Sequence, residues 1–284
     1  GKSTTIAMLT GLTSPDTGTA TIAGRDLITD IAKIRESLGV CPQHDVIFED
    51  LTVEEHLDLF AAVKGVPRDT RKESVNSMIA SVGLTEKRHT RSRMLSGGQK
   101  RKLSLAIAFL GDSKVVFLDE PTSGMDPYSR RFTWNLIRQQ KVGRVIVLTT
   151  HFMDEADLLC DRIAIMGEGR LRCCGSSLYL KRRFGVGYTV TMEKMSATRF
   201  NERKLMRLLN NVVPETRLVT NVGTEVSVQL PYGRVKDFPT LFSKLDKSMV
   251  TLGVNSYGVS VTTMEEVFLK VAEGLHGDGM GASL

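Results

Sequence analysis

No stretch of this chain reaches about 18 consecutive apolar residues, so no segment reads as a membrane-spanning helix. The opening Gly1-Lys2-Ser3-Thr4-Thr5 has no apolar h-region behind it, and a secretory signal is not expected there. Cysteine is scarce. Cys41, Cys160, Cys173 and Cys174 show neither C-x-x-C spacing nor a histidine at metal-ligand intervals, and read as reduced structural thiols of a cytosolic protein. There is no internal repeat and no low-complexity tract. With 41% hydrophobic and 25% charged residues, the composition excludes a disordered or collagen-like chain. The net charge of +6 tolerates phosphates or an anionic membrane surface but is too mild to establish a nucleic-acid partner.

What is present is length enough for a core without staples: 284 residues, roughly two domains. The boundary is placed at Lys181-Arg182-Arg183-Phe184-Gly185-Val186-Gly187, a basic run followed by glycines, which divides the chain into 1–184 and 185–284. Before it, apolar strands alternate with helices, which predicts a mostly parallel sheet. Val115-Val116-Phe117-Leu118 and Val145-Ile146-Val147-Leu148 lack alternation, as strands covered on both faces do, and residues 103–110 suit a buried helix. After it, Tyr188/Val190/Met192, Val226/Val228/Leu230 and Val259/Val261 alternate as half-buried antiparallel strands. Two amphipathic stripes lie between them, Leu205/Leu208/Leu209/Val212 and Phe238/Leu241/Phe242/Leu245. A further strand at 216–220 completes a β-α-β-β-α-β order, a ferredoxin-like α+β module. A last helix carries Met264, Val267, Phe268 and Val271, with Thr263 and Glu266 spaced as a capping box, and the glycine-rich tail 274–284 is expected to fray.

Three motifs carry chemistry. Gly1-Lys2-Ser3-Thr4 matches the end of a phosphate-binding loop, G-x-x-x-x-G-K-[ST], ahead of a helix through Leu9; the earlier part of the motif and its strand are not in the chain. A helix N-terminus there favours phosphate, with Lys2 reaching the β/γ-phosphates and the Ser3 hydroxyl holding Mg²⁺. Asp119-Glu120 follows a buried strand, which puts two carboxylates at its C-terminal edge: Asp119 for Mg²⁺, Glu120 to orient or deprotonate an attacking water. Leu95-Ser96-Gly97-Gly98-Gln99 opens a helix with bare backbone amides and a hydroxyl, which suits close approach of an anion.

In this order the motifs resemble those of the ATP-binding cassette (ABC) ATPases, and the resemblance covers essentially the whole chain. It implies an α/β P-loop NTPase domain with a helical subdomain, followed by a small ferredoxin-like regulatory domain. It implies ATP and Mg²⁺ as ligands. Ser96, Gly97, Gly98 and Gln99 would be the signature that closes over the γ-phosphate of ATP on an opposite cassette. Gln43, in Cys41-Pro42-Gln43-His44, resembles the Q-loop glutamine that contacts Mg²⁺ and the attacking water. Asp126, in Ser123-Gly124-Met125-Asp126, resembles the D-loop, and His151 the switch histidine that senses the γ-phosphate. The finer resemblance is to subfamily A lipid transporters, most like their first cassette, through Leu51-Thr52-Val53-Glu54-Glu55-His56, Gly111-Asp112-Ser113-Lys114, Asp126-Pro127-Tyr128-Ser129-Arg130-Arg131, Cys174-Gly175-Ser176-Ser177-Leu178 and Thr262-Thr263-Met264-Glu265-Glu266-Val267-Phe268.

The function this implies is the ATP-hydrolysing motor of a lipid-translocating transporter. It would work at the cytoplasmic face of a membrane, with a second cassette and transmembrane domains as partners and no nucleic acid. Residues 46–59 would receive the transmembrane coupling helices. Rival readings are a soluble ABC ATPase of translation or DNA repair, and a non-hydrolysing nucleotide-gated module. The absence of sustained heptads between Lys2 and Asp119 disfavours the repair type. Lys100-Arg101-Lys102 and Lys181-Arg182-Arg183 read as a solvated helix face and a basic linker, and the 12 methionines as core filler.

Overall fold

The computed structural model describes residues 1–185, 187–195 and 200–273; the expected fraying of the tail, and Val186 within the expected linker, lie outside them. The first part of the chain runs α1 (Lys2–Leu9), β1 (Thr21–Ile22), β2 (Arg25–Asp26), α2 (Ile31–Glu36), β3 (Leu38–Cys41), α3 (Val53–Val63), α4 (Arg68–Ser81) and α5 (Gly97–Phe109). It continues through β4 (Val115–Asp119), α6 (Pro127–Gln140), β5 (Val145–Thr149) and α7 (Met153–Leu159). Then come β6 (Ile163–Gly167), β7 (Arg170–Gly175), α8 (Ser177–Phe184), β8 (Tyr188–Lys194), α9 (Glu202–Val212), β9 (Arg217–Val222), β10 (Glu225–Leu230), α10 (Phe238–Leu252), β11 (Val254–Val261) and α11 (Met264–Glu273). One compact unit comprises residues 1–159 with 168–170 and the other 160–167 with 171–284, so that α8 groups with the C-terminal sheet.

In the first unit the parallel sheet β3-β4-β5 is built on β4, all five of whose residues are buried. Alternate side chains of that strand serve two cores. Val116 and Leu118 join Leu57, Ile79, Leu103 and Phe109 from α3, α4 and α5, whereas Val115 and Phe117 join Ile6 and Ile34 from α1 and α2. Gly39 on β3 is required by this packing, because a Cβ there would sit 2.1 Å from the Ala108 carbonyl oxygen of α5. Residues 103–110 are buried as expected. β5 is not covered on both faces as its apolar run suggests: it is an edge strand of the sheet, with Val145 59% and Val147 37% exposed. Both line an open cavity of about 590 Å³ together with Leu9, Ile22, Val115 and Phe117.

In the second unit the sheet order β11-β8-β10-β9, antiparallel throughout, is the ferredoxin-like arrangement that the β-α-β-β-α-β order predicts. Val190, Met192, Val226, Val228 and Leu230 face Leu205 and Leu209 of α9 and Leu241 and Leu245 of α10 in one core. The opposite face is polar, with Thr191 and Ser227 paired at 3.1 Å. Alternation overstates the burial of edge strand β11, whose Val259 and Val261 are exposed. Thr263 caps α11 by accepting from the Glu266 amide at 3.2 Å.

Candidate nucleotide-binding site

Parallel register ends the three strands of the parallel sheet together: Leu118 lies beside Cys41 and Leu148, and Asp119 beside Thr149. That shared C-terminal edge is where open α/β sheets bind ligands. Helix α1 starts against it, and Ser3 Oγ donates to Asp119 Oδ1 at 3.2 Å. Thr149 Oγ1 donates to the same carboxylate oxygen, and Asp119 is buried. Glu120 then takes a left-handed backbone, φ +48°, which costs a non-glycine residue about 1–2 kcal/mol. Its surroundings over-determine that conformation: its N–H donates to Thr149 O and Oγ1, both at 3.1 Å, and its carbonyl accepts from Arg101 at 2.8 Å. The Glu120 carboxylate lies 3.5 Å from His151 Nδ1, just beyond β5.

Arg101 is the residue that sequence reasoning misplaced. Its guanidinium is buried rather than solvated on a helix face. From α5 it donates to the carbonyls of Pro121 at 3.1 Å, Pro42 at 2.5 Å, Gln43 at 3.2 Å, Asp119 at 2.6 Å and Glu120 at 2.8 Å. It also pairs with Asp45 at 3.1 Å. One side chain therefore satisfies the turn after β4 and the loop after β3 at once, using the fixed fork of donors that lysine lacks. The available signal was its place in α5: two residues past Gln99 and next to the apolar run at 103–110, on a helix too buried for a full polar face.

The remaining expected residues are placed as follows. Gln43 is exposed; its carbonyl, not its side chain, is held by Arg101. Gly1, Lys2 and Thr4 are exposed at the start of α1, whose first amides have no intrahelical acceptor. Ser96 and Gln99 form a reciprocal capping box that sequence reading missed: Ser96 N–H donates to Gln99 Oε1 at 3.0 Å and Gln99 N–H to Ser96 Oγ at 3.3 Å. Among the described residues, no hydrogen bond or ion pair joins residues 96–99 to Ser3, Asp119, Glu120 or His151. Asp126 caps α6, accepting from the amides of Tyr128 at 2.9 Å and Ser129 at 3.0 Å. Hydrogen bonds from Ser129, then Tyr128, hold its carboxyl below the usual carboxylate range.

The donor set fits a small hard cation: a hydroxyl and a carboxylate oxygen 3.2 Å apart, with no converging group of three His, Cys, Asp or Glu among the described residues. Mg²⁺ is commonly held that way, by one or two protein oxygens with phosphate and water completing the shell.

Residues 1–123 match the family model described as ABC transporter, and residues 188–264 that of an ACT-like domain. Over 96% of its length the chain is 51% identical to the human protein named phospholipid-transporting ATPase ABCA3. Over 95% of its length it is 48% identical to ABC transporter A family member 2 of Dictyostelium discoideum. It spans only 16% of the first and 17% of the second. A solved structure titled as the ATP binding subunit of an ABC transporter superposes with a TM-score of 0.60 at 31% identity, over 65% of this chain and 78% of that one. The ordered motifs, the geometry at the ends of β4 and β5, and these similarities agree: the chain belongs to the ABC transporter family, as an ATP-binding cassette.

Proposed function

We propose that this cassette is the ATP-hydrolysing motor of a lipid-translocating membrane protein. The observation that carries the reading is the pair of contacts at one strand end, Ser3 with Asp119 and Glu120 with His151. Lys2 and the first amides of α1 bind phosphate, and Ser3 and Asp119, with Gln43, hold Mg²⁺. Bound Mg·ATP supplies the scissile phosphoanhydride and a cation that offsets its charge. Glu120 orients and deprotonates water, and His151 senses the terminal phosphate. Catalysis by these groups is positioning and electrostatics.

Ser96, Gly97, Gly98 and Gln99 serve a second nucleotide, held by a facing cassette in head-to-tail pairing. A Cβ at Gly97 would meet open space, and at Gly98 only Ser129 Oγ at 4.0 Å, so nothing among the described residues requires either glycine. Glycine is among the weakest helix formers, which makes an outside ligand the economical reason for two of them at the start of α5. Asp126 belongs to the segment that communicates across the pair.

Lipid transport is the activity that the name of the human relative, a phospholipid-transporting ATPase, suggests. The translocation path belongs to the transmembrane domains of the same transporter, with the cassette at its cytoplasmic face; among the described residues no helix is long and apolar enough to cross a membrane. Residues 46–59 are the docking segment for those partners, with Val46, Phe48 and Leu59 exposed. Glu54 and Glu55 are poor probes of that surface: Glu54 pairs with Arg88 at 3.0 Å, and Glu55 completes a capping box with Thr52. Val46→Asp with Phe48→Ser is the better test, expected to uncouple transport from hydrolysis. Residues 185–284 form the regulatory domain.

In the full-length protein, Glu120→Gln should retain ATP binding and lose about 100-fold or more in steady-state hydrolysis. Near-normal turnover in that variant would refute the assignment. Nucleotide binding by the wild type without hydrolysis would instead favour a nucleotide-gated module.

A further inference from the structure

Glu155 has no part in the chemistry above, yet it is 0% exposed. It lies in the first turn of α7, four residues after His151. Its Oε1 accepts from Thr122 Oγ1 at 3.0 Å and from Trp134 Nε1 at 2.9 Å. Its Oε2 is equally buried and has no hydrogen-bond partner among the described residues. Thr122 is itself buried, two residues past Glu120, and Trp134 belongs to α6, which Asp126 caps. An acidic residue at a helix start needs only solvent and nearby amides. Glu155 gives up solvent on both oxygens for two neutral donors, where an apolar side chain of similar volume would fill the space without that penalty.

We propose that Glu155 is a positioning residue, a clamp that fixes Glu120 relative to His151 by tying Thr122 and Trp134 to the start of α7. What is positioned rests on the ATPase reading; the clamp itself does not. Three successive rungs join the chain leaving β4 to the chain leaving β5: Asp119 with Thr149, Glu120 with His151, and Thr122 with Glu155. The middle rung is the weakest, 3.5 Å long with the His151 side chain 50% exposed, and the buried rung beyond it limits how far the two turns can separate. Helix α6 braces the same turn from another side. The Arg130 guanidinium lies 4.1 Å above the Phe152 ring, and that ring packs tilted against His151, with centroids 4.0 Å apart and planes at 39°. The clamp makes the segment from Glu120 to Asp126 and the His151 turn move as one body, so that a change sensed at one reaches the other.

The test uses the full-length protein carrying Glu155→Leu, Glu155→Gln or Thr122→Val, read by amide hydrogen exchange and by ATP hydrolysis. In E155L, exchange should speed up by about fivefold or more over both 119–126 and 150–156, with α3 unchanged. Its kcat should fall about tenfold while KM for ATP stays within about threefold. E155Q keeps an acceptor oxygen for both donors and should restore both readouts to within about threefold of the wild type. Unchanged exchange over 119–126 in folded E155L, or an E155Q as damaged as E155L, would overturn the clamp. Should E155L not fold, T122V decides: faster exchange at 150–156 with lowered kcat supports the proposal, and wild-type values of both overturn it. A wild type that binds but does not hydrolyse ATP sinks the ATPase reading alone, since the exchange measurements still judge the clamp.

Discussion

The two units of this chain use sheets of similar size to opposite ends. The parallel sheet of the first unit brings the C-terminal ends of β3, β4 and β5 to one edge, and every candidate group of the phosphate site except the α1 start lies on or just past those ends. The antiparallel sheet of the second unit sends successive strand ends to opposite edges, and no comparable cluster forms among its described residues. Strand direction therefore decides where a fold can pool charge. A parallel strand such as β4, buried along its length, has only its end free for carboxylates. An antiparallel strand such as β8 turns every second residue away from its core, and here those residues are the half-buried Thr189 and Thr191 and the exposed Glu193.

Pooling charge at one edge makes the first unit depend on a few buried polar groups, which gives the sharpest way to break the comparison. Arg101→Ala removes a charged donor from five carbonyls and from Asp45, of which the Glu120 carbonyl keeps a second donor in the Ser123 amide, and should destabilise the first unit by about 3–5 kcal/mol in denaturant unfolding. Arg101→Lys should recover little, because a single ammonium cannot span both loops. A folded R101A of wild-type stability would show that the strand ends hold themselves.

The second unit should fail by a different route. Leu245→Ala removes a fully buried side chain from an apolar core and should cost about 2–4 kcal/mol there, with ATP affinity unchanged. Loss of ATP affinity in that variant would mean that the units do not share out the work as their sheets suggest.

The same contrast explains what could be read from sequence. Periodicity announced the apolar faces of α9 and α10 and the burial of β4, because hydrophobic spacing is a direct record of which side meets a core. It failed at sheet edges: Val145, Val147, Val259 and Val261 are as apolar as their neighbours but lie on edge strands, and strand position is a tertiary fact. At the site, the motif residues were legible because phosphate chemistry restricts residue types at fixed spacing. Arg101 and Glu155 were harder to read, since a charged residue on a helix is usually solvated, and for Arg101 the one local signal was the apolar run that follows it. The Ser96–Gln99 box was legible and was overlooked beside the glycines it flanks.

A smaller effect is expected at Asp126, whose carboxyl is held below its ordinary range by Ser129 and by the amides it caps. With its folded pKa depressed, its contribution to stability is present above the ordinary carboxylate pKa and is lost as pH falls through the folded value. Asp126→Asn keeps the cap but removes the titration. The variant should therefore be less sensitive to acid than the wild type between pH about 4 and the folded value, when thermal unfolding is followed at each pH.

The smallest effect on stability, and the most telling contrast between fold and function, belongs to Gly97. An added methyl group there meets no atom of the described residues, so Gly97→Ala should leave stability unchanged or raise it by up to about 1 kcal/mol through helix propensity. Gly39→Ala, by contrast, would drive a Cβ into the Ala108 carbonyl and should unfold the first unit. If the bare helix start exists for a nucleotide held by a facing cassette, G97A should lower hydrolysis in the full-length protein while its melting temperature holds or rises. A G97A protein with wild-type turnover would mean that the signature glycine answers to nothing outside the chain, and the head-to-tail pairing would lose its main support in this structure.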